Sequence, residues 1–130
     1  MANGQFTLNE IQQQSKSWEA TLAGFRVQEK SIQQFVIGLE KQNWIVTGCG
    51  STYYASLSVA ALLRRYGITA WAYPASEIVH FPDMLPRKDV NLLTISRSGT
   101  TTETVWAAAG FREKYPNGKV VSITTQPGST

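Results

Sequence analysis

The chain is poor in cysteine, in histidine and in clustered charge, and each scarcity narrows what it can do. Cys49 is the only cysteine, so no intramolecular disulfide framework exists and a reducing compartment is the simpler setting. At 130 residues the chain forms one core-bearing domain. A core of that size buries roughly 65–70% of the unfolded surface and need not depend on disulfides or metals. The net charge of +3 is small, from 12 basic and 9 acidic residues, and Arg64-Arg65 and Arg87-Lys88 are its only basic pairs. Without a basic stripe, no nucleic-acid partner is expected, whereas a weak positive field favours a small anion. No apolar run reaches the length of a signal-peptide core or a membrane span, which predicts a soluble, cytoplasmic protein with no membrane partner. Repeats and low-complexity segments are also missing.

Two nucleotide-binding signatures fail. Gly48-x-Gly50 follows an apolar run, but Tyr53 stands where the third glycine of the dinucleotide fingerprint should pack, and Tyr73-Pro74 occupies the place of the acidic ribose ligand. No Gly-Lys-Ser/Thr occurs, so a Walker loop is excluded.

What is present is alternation. Met1–Phe6 reads as an unstructured lead-in, and residues 1–42 as a helical segment with two helices. The first opens at the capping box Thr7-Leu8-Asn9-Glu10 and carries Leu8, Ile11, Trp18, Leu22 and Phe25 on one face. The second opens at Ser31-Ile32-Gln33-Gln34 and runs to about Gln42. Both are expected to pack as core elements. From residue 43 to residue 130 strands and helices alternate: strands at Trp44–Thr47, Ile68–Tyr73, Val90–Ile95 and Lys119–Thr124, helices at Tyr53–Tyr66 and Thr101–Tyr115. A short helical turn spans Ala75–Phe81, with Ser76 as its cap. Gly67 ends the first of these helices, and the pattern predicts an α/β fold with a three-layer parallel sheet.

Two of the strand-to-helix turns are loaded with hydroxyls. Gly48-Cys49-Gly50-Ser51-Thr52 follows the first strand, and Ser96-Arg97-Ser98-Gly99-Thr100-Thr101 follows the third. Backbone amides and hydroxyls at the positive end of a helix dipole bind phosphate with little rearrangement. The competing account is that Thr52 and Thr101 cap their helices, which covers one or two of these residues and leaves the rest of both clusters unexplained. Arg97 either adds a cationic contact or points to solvent. Cys49 lacks a partner base in sequence and fits better as a small filler of its turn than as a nucleophile. Glu103 complements the helix dipole. His80 lies three residues after Glu77, on a shared face if that turn is helical, and is read as a surface residue before a proton-transfer group.

These turns, together with Ala75-Ser76-Glu77 after the second strand and Pro127-Gly128-Ser129 after the fourth, resemble the sugar isomerase (SIS) domain family. Within it the similarity is to the isomerase half of glucosamine-6-phosphate synthase and to tandem-domain phosphosugar isomerases and deaminases. The resemblance implies a flavodoxin-like, five-stranded parallel sheet, a homodimer, and a sugar-phosphate ligand without a cofactor or metal. By position, Ser96, Ser98 and Thr101 would bind phosphate together with Ser51 or Thr52. Cys49 and Gly50 would line the sugar side, and Arg97 stands where the synthase has glutamine. Tandem members draw their catalytic glutamate, histidine and lysine from a second repeat that this chain does not contain. The sequence therefore predicts a partial SIS domain at residues 43–130, lacking the fifth strand, and the N-terminal half of an aldose–ketose isomerase or amino-sugar-phosphate deaminase. It assigns no catalytic residue and predicts that the chain alone is inactive. The alternative is a non-catalytic phosphosugar-sensing SIS domain of a regulatory protein, although the glutamine-rich N-terminal helix offers no basic recognition helix.

Overall fold

A computed structural model describes residues 4–37, 39, 43–86, 89–126 and 128. The pair Arg87-Lys88, the expected helix end at Gln42, and Pro127 and Ser129 lie outside the described residues. The chain divides into two compact units, Met1–Ile37 and Gly38–Thr130.

The first unit is one helix, α1 (Gln5–Val36), where the sequence predicts a lead-in and two helices. Its N-cap is Gly4, so the capping box at Thr7 falls inside the first turns. Ser31 likewise sits mid-helix, because no proline interrupts the run and a single glycine, Gly24, costs only about 1 kcal/mol against alanine. Side-chain pairs one turn apart, Gln5 to Asn9 at 3.0 Å and Gln33 to Glu29 at 3.1 Å, add to its polar face. No residue of α1 is buried, contrary to the expected core role.

The second unit is a parallel sheet of four described strands in the order β2-β1-β3-β4. They are β1 (Asn43–Gly48), β2 (Ala70–Pro74), β3 (Val90–Ile95) and β4 (Val120–Ile123). Helix α2 (Ser51–Arg65) joins β1 to β2, α3 (Ala75–His80) and a short 3-10 turn (Pro82–Met84) join β2 to β3, and α4 (Thr102–Lys114) joins β3 to β4. Because β2 and β3 flank β1 on opposite sides, crossovers of one hand put α2 on one face and α3 and α4 on the other. The side chains follow that division. Trp44, Val46, Ala60 and Ala70 bury together on the α2 face. Ile45, Ile78, Val90, Leu92, Ala107, Phe111 and Tyr115 bury on the opposite face. Alternation along β1 thus feeds both cores, and each large apolar side chain so buried contributes roughly 1.5–3 kcal/mol.

Strand β2 begins two residues later than the sequence suggests. Gly67 adopts φ +79°, its N–H donates to the Arg64 carbonyl, and the Ile68 N–H donates to Leu63 O at 3.0 Å. That pair of bonds is a Schellman motif, which keeps Ile68 in the helix terminus. The predicted Ser76 cap is also absent: Pro74 precedes α3 and no side chain caps it.

Candidate functional site: a hydroxyl-lined crevice between β1 and β3

The connection from β1 runs toward one edge of the sheet and that from β3 toward the other, so the topological switch point falls between these two central strands. Gly48 and Ile95 are register partners, and both hydroxyl-rich turns therefore leave the sheet at the same level. Their helix starts, on opposite faces, open onto one cavity of about 640 Å³.

Seven of the residues expected from sequence line that cavity: Cys49, Ser51, Thr52, Ser96, Arg97, Ser98 and Thr101. Gly50 does not line it; at φ +54° it is the N-cap of α2, a backbone conformation that glycine adopts without strain. Thr100, Thr125 and Gln126 line it as well. Thr100 stands inside the same serine-threonine run, whereas Thr125 and Gln126 come from the end of β4, and only the strand order brings them here.

The hydroxyls divide into those that build the turns and those that face outward. Thr52 Oγ1 accepts from the Cys49 N–H and donates to the Cys49 carbonyl, both at 2.9 Å, and so closes the first turn. Ser96, buried at 6% exposure, accepts from the Gly99 N–H at 3.1 Å and shares a 3.2 Å contact with Thr101 Oγ1. Ser98 Oγ accepts from the Thr100 N–H at 3.2 Å. Since a hydroxyl carries one proton, this arrangement leaves, among the described residues, a donor on one member of the Ser96–Thr101 pair, another on Ser98 and another on Ser51.

Neither helix start is capped by a side chain. Among the described residues the first N–H groups of α4 consequently keep their donors, and the dipole of each helix adds positive potential at the same edge. The capping account of Thr52 and Thr101 fails here, since Thr52 bonds to its own turn and Thr101 to Ser96. Cys49 is half-buried, with its Sγ 3.7 Å from Thr104 Oγ1. Arg97 is exposed at the rim. His80 and Glu77 are exposed and do not line the cavity.

Fold and crevice together define an open α/β protein with a hydroxyl-lined cavity at its switch point. The chain belongs to the SIS domain family, whose model matches residues 39–130. It is similar to glutamine–fructose-6-phosphate aminotransferase [isomerizing] of Pyrobaculum aerophilum, with 33% identity over 126 residues, covering 96% of this chain and 20% of that protein. The enzyme of the same name from Sulfolobus acidocaldarius is 29% identical over 120 residues, covering 92% of this chain and 20% of its own length. The chain thus spans about one fifth of the curated relatives it matches. Among solved structures it is similar to the tagatose-6-phosphate ketose/aldose isomerase of Escherichia coli, with a TM-score of 0.83 at 26% identity, covering 93% of this chain and 35% of that one.

Proposed function

We propose that the chain binds a sugar phosphate through its phosphate group, as the N-terminal half of an aldose–ketose sugar-phosphate isomerase or amino-sugar-phosphate deaminase. The observation that carries this is the convergence of two uncapped helix starts and several uncommitted hydroxyl protons on one cavity. The sugar phosphates in the names of the similar proteins support the same ligand class. In such a reaction a base moves a proton between C1 and C2 of the open-chain sugar, and a fixed phosphate supplies binding energy that orients those carbons. Among the described residues the cavity is lined by no carboxylate, imidazole or lysine. This chain therefore supplies the anchor and leaves the proton transfer to groups outside that lining. In the same proposal the protein is a cytoplasmic homodimer, which light scattering on the purified chain tests for its assembly.

Calorimetric titration with fructose 6-phosphate, glucosamine 6-phosphate and inorganic phosphate tests the anchor. Binding of all three without turnover is the expected result. Ser98→Ala should then weaken it by roughly tenfold to a hundredfold, since a hydrogen bond to a charged acceptor is worth about 1.5–3 kcal/mol. A wild-type chain that binds none of the three, or an alanine variant that binds as well as wild type, overturns the assignment.

A further inference from the structure

Three donors converge on a single carbonyl of the second turn. Arg97 O accepts from the Thr125 N–H at 3.2 Å, from Thr125 Oγ1 at 2.8 Å and from Thr124 Oγ1 at 3.2 Å. Thr124 Oγ1 in turn accepts from the Gln126 N–H at 3.1 Å. A parallel ladder would supply one backbone donor, as it does between Ser96 N–H and Ile123 O at 3.0 Å. The two hydroxyls are additional, and they concentrate on an oxygen that the helix α4 does not use.

We propose that Thr124 and Thr125 are positioning residues that aim the Ser98 N–H into the anion cavity, an inference that rests on the phosphate-anchor function proposed above. No cis peptide occurs among the described residues, so the Arg97–Ser98 unit is planar and trans, and its N–H points opposite to its C=O. With the carbonyl held toward the end of β4, the Ser98 N–H faces away from β4, on the side where Gly48–Thr52 lie across the crevice. That N–H has no hydrogen-bond partner among the described residues. Rotation of the same peptide would instead turn a carbonyl oxygen toward the anion, replacing a donor with a repulsive acceptor. The hydroxyls of Thr124 and Thr125 hold the peptide against that rotation. Thr124 does not line the anion cavity, so its effect must pass through the Arg97 carbonyl, whereas Thr125 lines it and acts from both places.

Valine substitution removes each hydroxyl at nearly constant shape, and serine restores it. Inorganic phosphate is titrated into the 130-residue chain, its T124V variant, the T124V/T125V double variant and the T124S/T125S double variant, with affinity read by calorimetry. In wild type the Ser98 amide is also followed by ¹⁵N–¹H correlation spectra. T124V should weaken phosphate by about threefold to tenfold, the size of one lost hydrogen bond, with a larger loss in T124V/T125V and recovery in T124S/T125S. The Ser98 amide proton should move downfield on saturation with phosphate. Unchanged affinity in T124V/T125V, or a Ser98 amide that stays in place while others in the turn shift, overturns the positioning role and leaves the anchor standing. A wild-type chain that takes up no phosphate overturns the anchor, and the positioning role with it.

Discussion

Gly48 is where the sheet, α2 and the crevice meet most closely, and Gly48→Ala tests that junction. A Cβ placed there would lie 2.5 Å from Thr52 Oγ1, 2.8 Å from the Thr52 carbonyl carbon and 2.9 Å from Ile95 O. Two of those neighbours are backbone. The third is a short side chain held by bonds to both the N–H and the carbonyl of Cys49, so it cannot rotate away freely. Relief requires the first turn of α2 to move off the end of β3. Overpacking of this kind costs about 1–3 kcal/mol, and loss of the Thr52 bonds adds about 1 kcal/mol, giving roughly 2–4 kcal/mol of destabilisation. Urea unfolding measures it as a lower midpoint at constant slope. Gly110→Ala is the matched control: it adds the same methyl group in mid-α4, meets nothing within 4 Å, and should stabilise by about 0.5–1 kcal/mol. If Gly48→Ala falls within about 0.5 kcal/mol of wild type, a margin typical of surface changes, the close packing described here is wrong. Equal signs for the two variants would say the same.

Phe111, 1% exposed and stacked on Tyr115 with ring centroids 4.6 Å apart, should lose about 3–5 kcal/mol on truncation to alanine, and a urea-derived loss near zero would remove it from the core. Burial raises the Tyr115 hydroxyl above its ordinary value of 10.0. Above that pH the unfolded chain loses this proton before the folded one, so the folded state binds more protons and stability falls as pH climbs through the raised value. Below 10.0 the contribution is complete. Tyr115→Phe should therefore flatten the alkaline limb of the urea midpoint, and parallel limbs for variant and wild type would contradict the burial argument. Asp83 is fully exposed at its 3.4 Å pairing with Lys114, and Asp83→Ala should leave the urea midpoint unchanged because such surface pairs contribute little.

The strands were legible where chemistry marks both ends. Val90–Ile95 has its predicted bounds, since Asp89 takes a positive φ before it and the hydroxyl run begins after it. β1 extends one residue further each way, to Asn43 and Gly48. The N-terminal helices were misread because Ser31-Ile32-Gln33-Gln34 satisfies a capping pattern equally well inside a helix. A cap forms only if the chain turns before it, and nothing between Phe25 and Ser31 forces a turn. Strand order was out of reach of periodicity altogether, because the register of Gly48 with Ile95 depends on which strands pair.

The same limit explains which of the cavity's lining residues sequence reasoning named. Ser51, Ser96, Ser98 and Thr101 stand in turns that carry their own signature, but Thr125 and Gln126 matter only because β4 lies beside β3. Counting hydroxyls also could not say that Thr52 would be taken up in closing its own turn. The topology accounts for one further feature, that among the described residues no cluster of basic side chains lines the crevice proposed to take an anion. Helices α2 and α4 cover opposite faces, yet each follows a parallel strand and so starts at the same edge. Each helix start carries roughly half an elementary charge, so two of them present about one positive charge to the crevice from backbone alone. Arg97 is then an addition at the rim, and neutralising it should weaken an anion less than displacing either helix start.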